Sequence, residues 1–420
     1  MQVLRAAQGL ATCFVSRARF PEEIEVLNRA LNALSDRAAS ERASLQARLA
    51  LPSLTAAELN DSWRKIEQAT ATAEQLADPS LLARVLAFRT VSHRQCGELE
   101  ASLETGHRAL RLLKKEALFE RSVVLVQMAL ASLESGRLDE VDALLPDLEA
   151  TARRMGFQAA LWAHGLIRHS LKLMRGGDLR AFLAYAEQAL RGPAQWVIVS
   201  LTYAASTRLY LGQVEEALEQ LAAVIGDQTA ADHFLTGTAE ANLFAGMALA
   251  GRGDRARDLF PAVAPWLPAP GRRNTLGAWI ALEASVAGLA LVGDRQGCGA
   301  LYPLALAYIR TGLVCGSLAV GPGSPQLAAA IAAGAAGYTD KAHEHFEIAL
   351  RQARELPHRI LQPTVLYWYG RALRDVTCRR SGSRPRDGRS RVDGLPRARD
   401  GPARQPRRTV SATVRRNNSG

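Results

Sequence analysis

Histidine and cysteine are the side chains of this 420-residue chain that could bind a metal or act as nucleophiles. His343 and His345 stand two apart in a predicted helix, and His164 and His169 stand five apart. Side chains at either spacing diverge on a helix. The five cysteines are scattered with no close pair, so we expect neither a metal site nor disulfides, and Cys298 is interpreted as a packing residue. Scattered thiols indicate a reducing, cytoplasmic location.

The sequence also gives no support for phosphate binding or phosphate chemistry. No Gly-Lys dipeptide occurs, so a Walker-type phosphate loop is excluded. The glycine-rich segment 316–325 has no lysine and no strand-turn-helix context, and we interpret it as an inter-helix loop. Glu22-Glu23 and Glu215-Glu216 fall in first turns of predicted helices, where the helix dipole accounts for them. The sequence therefore predicts a protein that is not an enzyme and has no cofactor.

Charge is concentrated at one end of the chain. The formal net charge is +11, and residues 376–420 hold 13 Arg and 3 Asp, so the rest of the chain is nearly neutral. Because this segment has almost no apolar residues, we predict that it is a disordered tail. We expect no specific nucleic-acid binding, although weak binding through the basic tail stays an alternative. No apolar run is long enough to span a bilayer and the start lacks a signal-peptide pattern, so we expect no membrane association.

A short sequence pattern, called a mark below, recurs along residues 61–375. A glycine or small residue and a polar pair are followed by a helix that begins with a small residue, at intervals of 36 to 44 residues. The marks begin at positions 96, 136, 176, 212, 251, 293 and 337. The glycine is expected to end one helix in a left-handed conformation, and the polar residue after it to cap the next.

A second feature follows each mark. Small or β-branched residues stand five positions later, and six of the seven residues four positions further on are large and apolar. Residues four apart share a helix face, so the small one admits the paired helix and the large one fills the groove beside it. The small residues are Ala101, Val141, Ala181, Ala217, Ala256, Cys298 and Ala342.

These units predict an all-α, right-handed α-solenoid of roughly seven to nine helical hairpins, because one hairpin cannot bury its own apolar face. We expect residues 1–60 to be degenerate N-terminal helices of the array, 61–375 the repeats and 376–420 the tail. First helices line the concave face of such arrays. The candidate partner-binding residues on that face are Trp162, Arg168, Trp196, Tyr203, Arg208 and Trp279. Inter-repeat packing is the alternative interpretation of these aromatic residues.

The second helices resemble the tetratricopeptide repeat. The small-x3-aromatic-x2-small pattern is complete at Ala342, Phe346 and Ala349, and close at Cys298, Tyr302 and Ala305. The period exceeds the usual 34 residues of that family, and its first-helix signature is mostly absent. The resemblance implies a protein-protein interaction module.

A narrower resemblance covers about residues 40–375. Its motifs are the joint at 73–83, the stretch 293–305, the glycine-rich loop and the helix at 342–350. Together they resemble the C-terminal helical region of bacterial AAA-type ATPases fused to adenylate/guanylate cyclase or LuxR-type DNA-binding domains. That resemblance implies a sensor arm of an ATP-dependent signalling or transcriptional regulator, with a protein or peptide partner that includes a fused or associated ATPase. The alternative is a fragment of the parent cyclase, whose catalytic domains lie outside this chain.

Overall fold

The computed structural model describes residues 20–35, 37–50, 59–189, 194–226, 237–315, 323–356 and 358–380. The chain divides into two units, Met1–Val376 and Thr377–Gly420, and the repeats lie in the first. The described residues form eighteen α-helices and no strand. The helices are α1 Phe20–Ala33, α2 Ala39–Leu49, α3 Leu59–Gln75, α4 Pro79–Gln95, α5 Leu99–Leu112, α6 Leu118–Glu134, α7 Leu138–Met155, α8 Gln158–Gly176, α9 Leu179–Ala189, α10 Ala194–Tyr210, α11 Val214–Gly226, α12 Thr238–Leu249, α13 Gly253–Val263, α14 Leu276–Val292, α15 Arg295–Ile309, α16 Pro325–Ala336, α17 Thr339–Glu355 and α18 Leu361–Arg380.

Consecutive helices pack as antiparallel hairpins. In the described part of the chain, eight hairpins run from α2/α3 to α16/α17, with α1 before them and α18 after them. In each hairpin the even-numbered helix is the first helix, and α2, α4, α6, α10, α12 and α14 also contact the first helix of the next hairpin. The predicted all-α solenoid of seven to nine hairpins is confirmed.

The turns between the two helices of a hairpin follow the predicted glycine rule. In seven hairpins the glycine that closes the first helix has a positive φ, between 74° and 99°. Only glycine adopts this conformation without a steric cost. The glycines are Gly97, Gly136, Gly177, Gly212, Gly251, Gly293 and Gly337.

The predicted capping of the second helices is only partly right. Asp294 accepts a hydrogen bond from the backbone N–H of Gly297, and Asp178 accepts one from Ala181. In three other second helices the N-cap residue is Arg137, Arg252 or Tyr338, and it makes no side-chain cap bond; Glu98, the N-cap of α5, makes none either. In those three hairpins the acidic residue lies inside the first turn, as Asp139, Asp254 and Asp340, where it interacts with the helix dipole instead.

The predicted small-residue register is wrong in two hairpins. Ala181 is exposed and Ala101 is only half-buried, whereas their neighbours Phe182 and Ser102 are buried. The reason is that the left-handed residue is Gly97 or Gly177, one position after the start of the mark. Counted from the left-handed glycine, the fifth residue is buried in all seven hairpins. These residues are Ser102, Val141, Phe182, Ala217, Ala256, Cys298 and Ala342.

The two ends of the predicted repeat region differ in how far the structure describes them. Helices α1 and α2 lie within residues 1–60, and residues 1–19 and 51–58 lie outside the described part. Helix α18 continues past position 375 to Arg380. The rest of the predicted tail, residues 381–420, lies outside the described residues, so its predicted disorder stays a prediction.

The array winds so that its C-terminal repeats contact its N-terminal repeats. Arg273 Nε donates to Glu98 Oε1 at 3.1 Å, and the Cys315 Sγ lies 3.1 Å from the Leu133 carbonyl oxygen. These partners are 175 and 182 residues apart in the chain. A third contact, from the Arg359 N–H to the Met174 carbonyl, joins the loop before α18 to the end of α8. One hydrophobic core therefore includes residues of α4 to α6 together with α12 to α18.

In the described part of the chain, no helix combines the length and the apolar composition that crossing a bilayer requires.

Candidate functional site

The predicted concave-face residues do not form one cluster. Trp279 is buried and stacks on the Tyr308 ring at 5.4 Å, with the rings nearly parallel. Tyr203 is buried against Phe182, ring edge to face, at 6.0 Å. Both aromatic rings pack helices together, which is the alternative that the sequence left open.

The remaining predicted residues are dispersed. Trp162 is half-buried in α8, and its carbonyl accepts a 2.8 Å hydrogen bond from Tyr185. Arg168 is exposed on the same helix, and Arg208 in α10 forms an ion pair with Glu187. Trp196 belongs to α10, and its side chain lies outside the described residues. Their predicted role in partner binding stays a prediction.

A cavity of about 580 Å³ lies elsewhere on the inner side of the array. Its wall comes from the first helices α10, α12, α14 and α16 and from α18, together with Leu179 at the start of α9 and the segments around Gly177, Gly323 and Arg359. First helices thus form most of the cavity wall. None of the five predicted residues with described side chains lines this cavity. Its volume falls within the range of cavities that hold small ligands.

The wall of the cavity is mostly apolar. Leu209, Ile280, Leu327 and Ile331 contribute to it. Three of the large apolar side chains that stay exposed also line it: they are Tyr210, Leu249 and Tyr367, at 41% to 52% exposure. Large apolar side chains that face a concave space instead of the core indicate a binding site.

Glu283 supplies the carboxylate of this wall. It projects from the middle of α14, and a Cβ atom at position 323 would overlap it, so glycine is the residue that fits there. Burial raises the pKa of Glu283 to about 8, because a carboxylate loses hydration in apolar surroundings. Interaction with the Tyr308 hydroxyl lowers the pKa by a smaller amount.

Two tyrosines stand near this carboxylate. The Tyr308 hydroxyl is fully buried and makes no hydrogen bond of regular geometry to any described residue. Its pKa is raised well above the ordinary value by burial, and further by Glu283 and Glu134. Burial also raises the pKa of Tyr210, with a smaller contribution from Glu283. Both phenols are therefore neutral at physiological pH and can offer a hydrogen bond but no charge.

The rim of the cavity carries the positive charge that the interior lacks. Arg359 lines the cavity beside Gly177, and its side chain is exposed. Its backbone N–H donates a 2.8 Å hydrogen bond to the Met174 carbonyl, so the rim coincides with one contact between C-terminal and N-terminal repeats. An occupant of the cavity would therefore touch a segment that holds the winding of the array together.

A second buried acid lies at another contact between repeats. Glu134, at the end of α6, accepts hydrogen bonds from Arg94 Nε at 3.0 Å and Nη2 at 2.6 Å. The backbone N–H of Val314 donates to its carbonyl at 2.9 Å. Burial raises the pKa of Glu134, and Arg94 opposes that rise. Within the described ranges, no group of three or more His, Cys, Asp or Glu side chains could hold a metal.

The sequence contained one unused signal for the cavity. Glu283 is the only charged residue in the 17 residues of α14, in a helix that is otherwise apolar on every side. A helix that is hydrophobic all round is buried, so a lone glutamate within it lies against apolar surroundings unless a cavity opens beside it. None of the aromatic and arginine residues predicted to bind a partner stands out from its helix in this way.

Comparison with known proteins supports the fold. No protein-family model matches the chain, and no curated protein matches it. The fold is similar to that of a Rap protein solved in complex with Competence and Sporulation Factor, with a TM-score of 0.51 and 11% identity over 91% of this chain and 98% of that one. The TPR domain of P58(IPK) aligns at 11% identity over 88% of this chain and 99% of that chain, with a TM-score of 0.22. The array thus shares an all-α helical-repeat fold with the Rap protein, and the narrower resemblance to ATPase-linked regulators stays a prediction.

Proposed function

We propose that this chain is a non-catalytic interaction module that binds a protein or peptide segment in the cavity between α10, α12, α14, α16 and α18. The observation that carries the proposal is the cavity itself, with its apolar wall and its exposed Tyr210, Leu249 and Tyr367. Apolar side chains in a concave space bind an extended segment by burying its side chains one after another.

The fold supports the same role. Helical-repeat arrays present continuous inner surfaces to extended partners. The Rap protein that shares this fold was solved in complex with Competence and Sporulation Factor, which supports a binding role for an array of this fold.

The mechanism that follows from the fold is mechanical. The occupant would contact Arg359 and the start of α18, and the Arg359 N–H holds the end of α8. Binding would therefore favour one arrangement of the C-terminal repeats over others, by the difference in its affinity for them. A protein that contacts the outer surface of the array would sense that difference.

A peptide selection with cavity-filled variants tests the proposal. Peptides are selected from a random library on the wild-type chain, and their affinities are measured by calorimetry. Ala287→Trp places a large side chain in the cavity, and we expect at least a tenfold loss of affinity because the occupant is excluded. Ala222→Trp, at an exposed position of α11, is the matched control and should bind as wild type does.

Both variants must first give wild-type circular dichroism. Peptides that bind Ala287→Trp and wild type equally would show that the cavity is not the binding site. Failure of the selection to yield any specific peptide would contradict the interaction role for this face.

A narrower form of the proposal makes the array the sensor arm of an ATP-dependent signalling or transcriptional regulator, acting on a fused or associated ATPase. Only the resemblance over residues 40–375 supports it. The DNA upstream of the Met1 codon tests it: a frame with a phosphate loop or a cyclase domain would favour the regulator, and unrelated neighbouring genes would count against it.

A further inference from the structure

We propose that the segment bound in the cavity carries one ammonium or guanidinium group within an apolar stretch, and that this group forms an ion pair with Glu283. This inference rests on the proposed function and specifies the chemistry of the partner. It follows from an apolar cavity whose wall holds one carboxylate on the middle turn of α14.

The carboxylate has no cationic partner of its own. Among the ion pairs of the described residues, none includes Glu283. Arg359 is the one cationic side chain in the described cavity lining, and it stands exposed at the rim. A buried carboxylate without a countercharge is costly, and an incoming cation recovers part of that cost when it binds. A neutral or acidic segment would gain nothing from this carboxylate.

The surroundings select for an apolar body around the charge. The side chains beside Glu283 on its own helix are Ile280, Ala284 and Ala287, and the facing helix α16 contributes Leu327 and Ile331. A lysine or arginine presents its charge at the end of an apolar stem. Its stem would contact these side chains while its head reaches the carboxylate. Adjacent apolar residues of the segment would occupy the remaining volume.

Apart from Arg359 at the rim, the titratable groups that face Glu283 in the described structure are phenols and a thiol. Tyr210 from α10 and Tyr308 from α15 stay protonated, because burial raises both pKa values. Cys315, after α15, is likewise a buried thiol with a raised pKa. Tyr367 of α18 and Arg359 complete the set at the cavity wall.

Proton release is the expected signature of this ion pair. Free Glu283 is mostly protonated at pH 7, because its pKa is raised to about 8. A bound cation favours the charged form and lowers that pKa, so binding at pH 7 must expel a proton. Binding driven by apolar burial alone would release none.

Three capped tripeptides test the inference: acetyl-Leu-Lys-Leu-amide, its norleucine analogue and its glutamate analogue, titrated into the full chain by calorimetry. At pH 8.5 we expect the lysine peptide to bind at least about tenfold tighter than the norleucine peptide, and the glutamate peptide weakest. At pH 7, titrations in two buffers of different ionisation enthalpy should show release of most of one proton per lysine peptide bound.

Glu283→Gln removes the charge and keeps the shape of the side chain. In this variant we expect equal affinities for the lysine and norleucine peptides and no proton release. Gly323→Ala is a second variant, because the added Cβ displaces the carboxylate without removing it, and it should also reduce the preference for lysine. Circular dichroism and thermal unfolding check that both variants fold.

The inference falls if the lysine peptide does not bind at millimolar concentration, or if it binds no tighter than the norleucine peptide. It also falls if Glu283→Gln keeps the preference. The proposed function is separately decided: library peptides that lose affinity in Ala287→Trp but contain no basic residue would preserve the interaction role and overturn only the ion pair with Glu283.

Discussion

Glu134 and Glu283 are two glutamates in first helices of one array; Glu134 is buried in the packed interior, whereas Glu283 is half-buried at the wall of a cavity. The pKa of each is raised by burial, and both act on the pKa of the Tyr308 hydroxyl. Glu134 is bound by two nitrogens of Arg94 in a packed interior. Glu283 lies beside a cavity and has no ion pair among the described residues.

This difference indicates a structural role for Glu134 and agrees with the proposed binding role of Glu283. The Arg94–Glu134 pair satisfies its own charges and lies where the backbone of Val314 joins the end of α6, so it serves the winding of the array. Nothing in the fold requires the charge of Glu283. A residue that costs stability and lines a cavity is better explained by binding than by folding.

The largest expected effect on stability comes from removing the arginine that pairs with Glu134. Arg94→Met leaves Glu134 buried without its countercharge, and we expect a loss of about 3–5 kcal/mol in the free energy of unfolding. Urea denaturation followed by circular dichroism measures it. A loss under 1 kcal/mol would show that Glu134 reaches water or another cation, and the contrast with Glu283 would disappear.

The double variant Arg94→Met/Glu134→Leu is the control for that experiment. Replacing a buried ion pair by apolar residues of similar size is often nearly neutral, because both desolvation costs are removed together. We therefore expect the double variant to recover most of the lost stability.

Removing the charge of Glu283 should have the opposite effect and raise the free energy of unfolding. The unfolded Glu283 loses its proton near pH 4.5, whereas the folded one keeps it up to about pH 8, so stability falls as pH rises between these values and then levels off. The full shift corresponds to roughly 4–5 kcal/mol, and water in the cavity reduces it. We expect Glu283→Gln to raise the unfolding free energy at pH 8.5 by about 2 kcal/mol.

The matched measurement at pH 4.5 is the control, because there Glu283 is protonated in the folded state and the two proteins should differ little. Other shifted groups, such as Glu134, are present in both proteins and cancel in the difference. A constant difference across this pH range, or a less stable Glu283→Gln variant at pH 8.5, would contradict the assignment of a raised pKa to Glu283.

The repeated elements were predictable because they depend on local chemistry. A left-handed glycine, a buried residue five positions later and apolar periodicity are all visible within forty residues. The register error at Ala101 and Ala181 arose because Cys96 and Gly176 look like the turn residue, whereas backbone geometry selects the following Gly97 and Gly177.

The cavity was not predictable in the same way. It depends on how far the array winds, and that is set by contacts such as Arg273 with Glu98, between residues 175 positions apart. Trp279 of α14 packs against Tyr308 of the paired helix α15 in the interior instead of on an open inner face. Glu283 could have been singled out as the lone charge of α14, but not the space beside it.

The smallest expected effect concerns an exposed counterpart of the Arg94–Glu134 pair. Arg273 donates to Glu98 at 3.1 Å and lies over the Trp63 ring at 4.0 Å, and it is 40% exposed. Water already solvates both charges, so the pair contributes little, and the ring contact adds a similar small amount. We expect Arg273→Ala to lower the unfolding free energy by about 1 kcal/mol or less, measured in urea as for Arg94→Met. A loss that matched the loss in Arg94→Met would mean that the winding depends on its exposed contacts as much as on its buried one. Burial would then no longer distinguish the Arg94–Glu134 pair, which stabilises the array, from Glu283, for which we propose an external partner.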